Sequence, residues 1–184
     1  MLNSLEQFQK IIDLETSCPD DWSDAQKHIF WMQQALKVAV YSEQLGEVPV
    51  GAVAVVANQL VSVGWNAPIS EHDPTAHAEV MALREAGKVL GNYRQLEVTL
   101  YVTLEPCPMC AGAIVHARVQ QLVYGAKDLK TGAVDSVFRL VSDKRLNHQP
   151  LVLGGVLEAE CREQLQAFFK RRRAEKKAAK KKHA

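Results

Sequence analysis

The spacing of apolar positions marks the elements of this chain. Over residues 24–45, Ile29, Met32, Leu36 and Ala39 recur at intervals of three and four, the period of a helix with one buried face. Gly46 then serves as its stop. Residues 51–57 are rich in Val and almost wholly apolar, as in a strand covered on both faces, and Asn58-Gln59 reads as a turn into a second strand over 60–65. These two form an antiparallel hairpin. Trp65-Asn66-Ala67-Pro68 leaves the sheet for a loop that runs into a second helix, reaching to about Gly91, which buries Val80, Leu83 and either Ala86 or Leu90. Residues 97–104 alternate as a third strand, and the next helix carries Ala111, Ile114 and Val115 inward. A fourth strand over 119–124 and a fifth over 151–153 follow, and a last helix from Val156 places Leu157, Cys161, Leu165 and Phe168 on one face.

Strand, helix, strand over 97–124 implies a parallel pair with a crossover helix, so the sheet is mixed and the class is α/β. The second and third helices each follow a strand, which puts their N-termini at one rim of the sheet, where open α/β folds place their sites. Residues 1–24 carry Leu5, Phe8, Ile11 and Ile12 at helical spacing among six acidic residues, ahead of Pro19-Asp20-Asp21. They read as either a mobile extension or an added surface helix.

With 184 residues, 47% hydrophobic and 23% charged, the chain suits one domain with a full core. It shows neither a basic leader nor an apolar run near the ~18 residues of a membrane span, so a soluble cytoplasmic protein with no membrane contact is expected. Its four cysteines are expected to stay reduced; Cys18 and Cys161 read as ordinary residues, Cys161 on a buried helix face. A formal charge of +1 hides an asymmetry: residues 170–184 hold nine Lys or Arg and one Glu, net +8, against thirteen basic and twenty acidic groups elsewhere, net −7. Such a run is either a solubilising tail or an arm that holds a polyanion.

The candidate chemistry centres on Thr103-Leu104-Glu105-Pro106-Cys107-Pro108-Met109-Cys110. With a helix beginning near Pro106, the two cysteines share the face of its first turn, and unpaired N–H groups there favour the thiolate that binds zinc. Upstream, in Asp73-Pro74-Thr75-Ala76-His77-Ala78-Glu79, Asp73 or Thr75 can cap a helix with Pro74 in its first turn. His77 offers a third ligand, and Glu79 can converge with it only at an irregular helix start. Three ligands leave tetrahedral zinc one open position, the mark of a catalytic site. The competing arrangement is a structural site closed by Cys18, His72, His116, His148 or Cys161, with His72 nearest in sequence. His28 and His183 read as surface residues.

His-x-Glu followed by Pro-Cys-x-x-Cys is the signature of zinc-dependent nucleobase deaminases. Together with His77-Ala78-Glu79-Val80-Met81-Ala82-Leu83-Arg84, Thr99-Leu100-Tyr101-Val102-Thr103-Leu104-Glu105-Pro106-Cys107 and Gly125-Ala126-Lys127-Asp128-Leu129-Lys130-Thr131-Gly132, it resembles the bacterial tRNA-specific adenosine deaminase family over roughly residues 25–175. The resemblance implies a three-layer cytidine-deaminase-like fold, with a central mixed five-stranded sheet flanked by helices. It divides the chain into an extension (1–24), a zinc deaminase domain (25–169) and a basic tail continuing the last helix (170–184). One zinc ion per subunit on His77, Cys107 and Cys110, with Glu79 as proton shuttle, would convert adenosine to inosine at the wobble position of an arginine tRNA. A homodimer holding the anticodon stem-loop is also implied.

The same resemblance assigns Asn66 to the base and Asp128 to the anticodon-loop backbone, where it can accept from a ribose 2′-OH. Lys130, Arg171, Arg172 and Arg173 are candidates for phosphate, and Phe169 or Phe168 for the border of the flipped base, core packing being the simpler role for at least one. The chain departs from the family pattern in its acidic extension and over residues 136–145. Two other functions fit parts of the pattern: a free-base or nucleoside deaminase acting on guanine or cytosine, and a non-catalytic zinc-stabilised RNA-binding module.

Overall fold

The computed structural model describes residues 12–182, so Leu5, Phe8, Ile11 and His183 lie outside the described residues. Helix α1 (Asp24–Gln44) opens on a capping box, in which Ser23 N–H donates to Gln26 Oε1 at 3.0 Å and Gln26 N–H to Ser23 Oγ at 3.4 Å. It buries Trp31, Met32, Ala35, Val38 and Ala39, whereas Ile29 is 43% exposed and Leu36 half-buried. The buried stripe therefore sits to one side of the expected one. Small residues decide this: Ala35 and Ala39 let the helix backbone come down onto Gly51, an approach that Leu or Ile would prevent.

Strands β1 (Gly51–Val56) and β2 (Gln59–Trp65) form the antiparallel hairpin. Its turn is Ala57-Asn58, both left-handed at φ 46° and 57°, one residue earlier than read from sequence; a two-residue turn of this hand matches the twist of the strands. Next come α2 (Ala78–Leu90), β3 (Thr99–Leu104), α3 (Pro108–Ala117), β4 (Gln121–Ala126), β5 (Leu151–Gly154) and α4 (Glu158–Lys182). The sheet order is β2-β1-β3-β4-β5, antiparallel across the first three strands and parallel from β3 to β5.

Both faces of the sheet are covered, which explains why β1 lacks polar positions. Ala52 and Ala54 pack with Ala78, Ala82 and Ile114 of α2 and α3; Val53 and Val55 face Trp31, Val38 and Cys161 of α1 and α4. Helix α2 buries Ala78, Ala82, Leu83 and Ala86, while Val80 is half-buried and Leu90 exposed. In α3 the expected Ala111, Ile114 and Val115 are buried. Leu157, at φ 52°, precedes α4 rather than belonging to it, while Cys161 and Phe168 supply the helix's buried contacts. From there α4 runs unbroken into the basic tail. Residues 14–18 lie against the hairpin, with Leu60 N–H donating to Thr16 O at 2.8 Å and Leu14 and Cys18 buried. The described part of the N-terminal segment is thus an extended strip joined to the core, not a surface helix. No helix among the described residues is long and apolar enough to cross a membrane.

Candidate metal centre

The loop from β2 to α2 is organised before it reaches His77. Ala67 N–H donates to Ala76 O at 2.9 Å, closing the loop at its neck. The buried Glu47 carboxylate accepts from Ile69 N–H (2.9 Å), Ser70 N–H (2.7 Å) and the Ser70 hydroxyl (3.0 Å). Asp73 caps a turn at Thr75 rather than the helix, and Pro74 lies before α2 rather than in its first turn. The helix starts two to four residues later than a cap at Thr75 or Asp73 would put it, because Asn66 Oδ1 accepts from Ala78 N–H at 3.1 Å, capping it from across the loop. His77 is left as an extended N-cap residue, which turns its ring towards α3 and allows Glu79, two residues on, to face the same space. Cys107 is likewise the extended N-cap of α3, with Pro108 rather than Pro106 in its first turn.

Three donor atoms meet there. His77 Nδ1 stands 3.6 Å from Cys107 Sγ and 3.5 Å from Cys110 Sγ, and the two sulfurs are 3.6 Å apart. Tetrahedral zinc, with bonds of about 2.3 Å to sulfur and about 2.05 Å to nitrogen, sets such separations at about 3.6 Å for sulfur to nitrogen and about 3.8 Å between sulfurs. The triangle fits one zinc ion per chain. Among the described residues no fourth His, Cys, Asp or Glu joins this group. Cys18 and Cys161 are buried with α1 and α4 on the other face of the sheet, and His148 is bonded to Val119 O at 2.7 Å. His72 and His116 are exposed.

The protons of this cluster are shared unevenly. The Cys110 thiol, together with His77, pulls Cys107 down to about 4, while Cys107 and burial push Cys110 up. His77 is raised by its bond to Cys107. Burial lifts Glu79, only 4% exposed, to about 7, so its carboxyl can both take and give a proton near neutrality.

The other sequence candidates fare differently. Asn66 Oδ1 is engaged at the helix cap, leaving its NH₂ as the group able to meet a base. Asp128 folds onto its own loop, accepting from Lys130 N–H (2.9 Å), Thr131 N–H (3.2 Å) and the Thr131 hydroxyl; Lys130 is exposed. Phe168 is core. Phe169, 44% exposed, borders a cleft of about 270 Å³ with Val48, Ile69, Arg172, Arg173 and Lys176. Arg171 is held by Glu43 at 2.6 Å and lies over the Phe168 ring. His28 is half-buried and bonded to the Tyr101 hydroxyl at 3.0 Å, so it is not a surface residue.

Sequence reading missed Glu47 and Glu105, two buried carboxylates that tie loops at the rim. Glu105 accepts from four backbone N–H groups and one hydroxyl. Neither carries a local signal: Glu47 follows the Gly46 helix stop, Glu105 follows an apolar strand, and the backbone groups they bind lie more than twenty residues away.

A family model for the cytidine and deoxycytidylate deaminase zinc-binding region matches residues 25–126. A tRNA-specific adenosine deaminase of Haemophilus influenzae is 53% identical over 150 residues, 81% of this chain and 87% of that protein. One from Bacillus subtilis is 47% identical over 151 residues, 82% and 94% of the two chains. A structure solved in work on A-to-I editing by tRNA:A34 deaminases at the wobble position of transfer RNA superposes with TM-score 0.71 at 42% identity, covering 73% of this chain and 97% of that one. A guanine deaminase from Bacillus subtilis gives TM-score 0.51 at 41% identity over 53% of this chain and 62% of its own.

Proposed function

This chain belongs to the zinc-dependent cytidine and deoxycytidylate deaminase family, among its tRNA-specific adenosine deaminases, and from that premise we propose that it converts the wobble adenosine of an arginine tRNA to inosine. The observation that carries the reading is the three-donor triangle beside a buried acid, which leaves one coordination position for water.

When bound by His77, Cys107 and Cys110, zinc supplies the Lewis acidity that makes water a nucleophile at neutral pH. Glu79 takes the proton as the oxygen adds to C6 of the adenine and passes it to N1. It then takes the second water proton from the new hydroxyl on C6 and delivers it to the departing amine, so that the C6 carbonyl forms as the C6–N bond breaks, water is consumed and ammonia is released. The Glu79 carboxyl suits this double duty because burial holds it near neutrality. Asn66, fixed by its cap to Ala78 N–H, offers its NH₂ to an acceptor on the base edge.

The RNA is read as lying across the rim. Phe169 and Ile69 give the cleft an apolar wall against which a base can stack, and Arg172, Arg173 and Lys176 on its edge suit phosphate. Asp128, with both oxygens taken within its loop, meets a ribose hydroxyl through a remaining lone pair, and Lys130 stands free of the body for phosphate. An anticodon loop lowers the energy needed to extrude the base. The proposal includes a cytoplasmic homodimer with one zinc per subunit, and a division into an extension (1–24), a deaminase domain (25–169) and a basic tail (170–184). Leu14 and Cys18 anchor the described part of the extension to that domain.

A free-base reading is favoured by one finding, the similarity to a guanine deaminase; the cationic tail favours RNA. Inosine formation in a transcribed arginine tRNA bearing an ACG anticodon, read by sequencing beside turnover of guanine, cytosine and free adenosine, separates the two. Conversion restricted to the wobble adenosine supports the proposal, and turnover of free bases with an unmodified tRNA would replace it.

A further inference from the structure

We infer that Glu105 is a positioning residue: it holds the 127–136 loop in the shape that meets RNA, and so sets affinity for RNA more than the rate of the chemical step. The inference rests on the RNA-editing reading above. Glu105 closes β3 two residues before Cys107 and is buried. One carboxylate oxygen accepts from Asp128 N–H at 3.0 Å and from the Ser136 hydroxyl. The other accepts from the N–H groups of Val134 (3.1 Å), Asp135 (2.8 Å) and Ser136 (2.9 Å). Every one of these donors belongs to a single loop. A buried carboxylate is heavily penalised unless its lone pairs are met, and here an irregular loop is the group that meets them.

Gly132 reports the same constraint independently. Its backbone is not left-handed, yet a Cβ there would stand 2.5 Å from Glu105 Cδ and Oε2 and from Asp128 O. The glycine leaves room for the carboxylate. Two further ties fix the loop: Ala133 N–H donates to Pro106 O at 2.8 Å, directly beside Cys107, and the Tyr124 hydroxyl donates to Asp135. Above this anchor the Asp128 turn exposes Lys127 and Lys130 around Leu129, which is 80% exposed. Two cations about an exposed apolar side chain, next to the metal-binding segment, make a surface for a phosphate backbone with a base or sugar against it. Fixing that surface in advance removes the ordering that binding would otherwise have to impose.

The test uses zinc-loaded full-length protein and an anticodon stem-loop of the arginine tRNA. Glu105→Gln presents an NH₂ to donors on one side of the carboxylate site, and Ser136→Ala removes a single tie. Inosine formation, zinc content, RNA binding by fluorescence anisotropy and hydrogen exchange of the loop amides are read together. Glu105→Gln is expected to keep zinc, to raise KM and Kd about tenfold with kcat falling less than about threefold, and to speed exchange at Asp128 and Val134 to Ser136; Ser136→Ala should raise KM about two- to threefold. Equal Kd and KM in both variants, or a collapse of kcat with loss of zinc, would overturn the role. If Glu105→Gln does not fold, Ser136→Ala decides by the same criterion. Wild-type protein that binds the stem-loop without making inosine would strike the functional reading, while the Kd comparison still decides the role of Glu105.

Discussion

Gly64→Ala perturbs the metal centre from within the core. At Gly64, strand β2 touches α2 so closely that a Cβ would lie 2.1 Å from Ala78 O and 2.4 Å from Ala82 N, where ordinary contact begins at 3.4 Å. The helix must therefore retreat by roughly 1 Å, far beyond the ~0.2 Å within which metal–ligand distances are held. Ala78 lies between His77 and Glu79, so the retreat passes to both. Misplacement of about 1 Å costs on the order of a hundredfold in rate. Overpacking of this kind also destabilises by about 1–3 kcal/mol, which lowers Tm by roughly 2–12 °C at this chain length.

Gly51→Ala is the control. Its Cβ would come equally close, 2.2 Å from Ala35 O, but the helix it displaces is α1, which carries no ligand. Zinc per chain, thermal melting and single-turnover inosine formation should show similar loss of stability in the two variants and the large loss of rate in Gly64→Ala alone. Equal rates in both variants, or Gly64→Ala with full zinc and wild-type turnover, would refute the claim that this close approach sets the site.

Other outcomes follow from the rim and the tail. Removing residues 174–184 keeps Phe168, Phe169 and the Arg171–Glu43 pair but deletes five lysines. The log–log salt dependence of RNA binding should flatten by about 0.7–0.9 for each phosphate that those lysines neutralise; an unchanged slope would return the tail to solvated charge. Burial opposes ionisation of Glu105, but N–H groups of Asp135, Ser136 and Asp128 and the Ser136 hydroxyl outweigh it and hold the carboxyl below its ordinary 4.5. A group depressed on folding contributes stability above its unfolded value and loses it as pH falls through the folded one. Melting scans from neutral pH to about pH 3 should therefore show a shallower acid limb for Glu105→Gln than for wild type, and superimposable limbs would count against the assignment.

Much of this architecture was legible where a local pattern and a tertiary demand coincide. The unbroken apolar run of β1 reflects burial on both faces, and the Cys107 to Cys110 spacing reflects the first turn of α3. The α2 start was misplaced because its cap comes from Asn66, twelve residues upstream, rather than from Asp73 or Thr75 beside it. Ile29 fits the helical period yet is exposed, since close approach at Gly51 favours Ala35 and Ala39 on the inner face. Leu14 and Cys18 are too isolated to form a pattern, and only the hairpin edge gives them a place. Glu47 and Glu105 bond to backbone more than twenty residues away, and a single acidic letter carries no trace of that.

The central claim is that His77, Cys107 and Cys110 hold zinc while Glu79 moves the proton. Its most direct test is Glu79→Ala, with zinc per chain and inosine in the arginine tRNA measured on the same preparation. We expect one zinc per chain and no inosine above the unenzymatic background. Residual turnover near the wild-type rate would contradict the shuttle, and loss of zinc with loss of activity would make Glu79 part of the metal site.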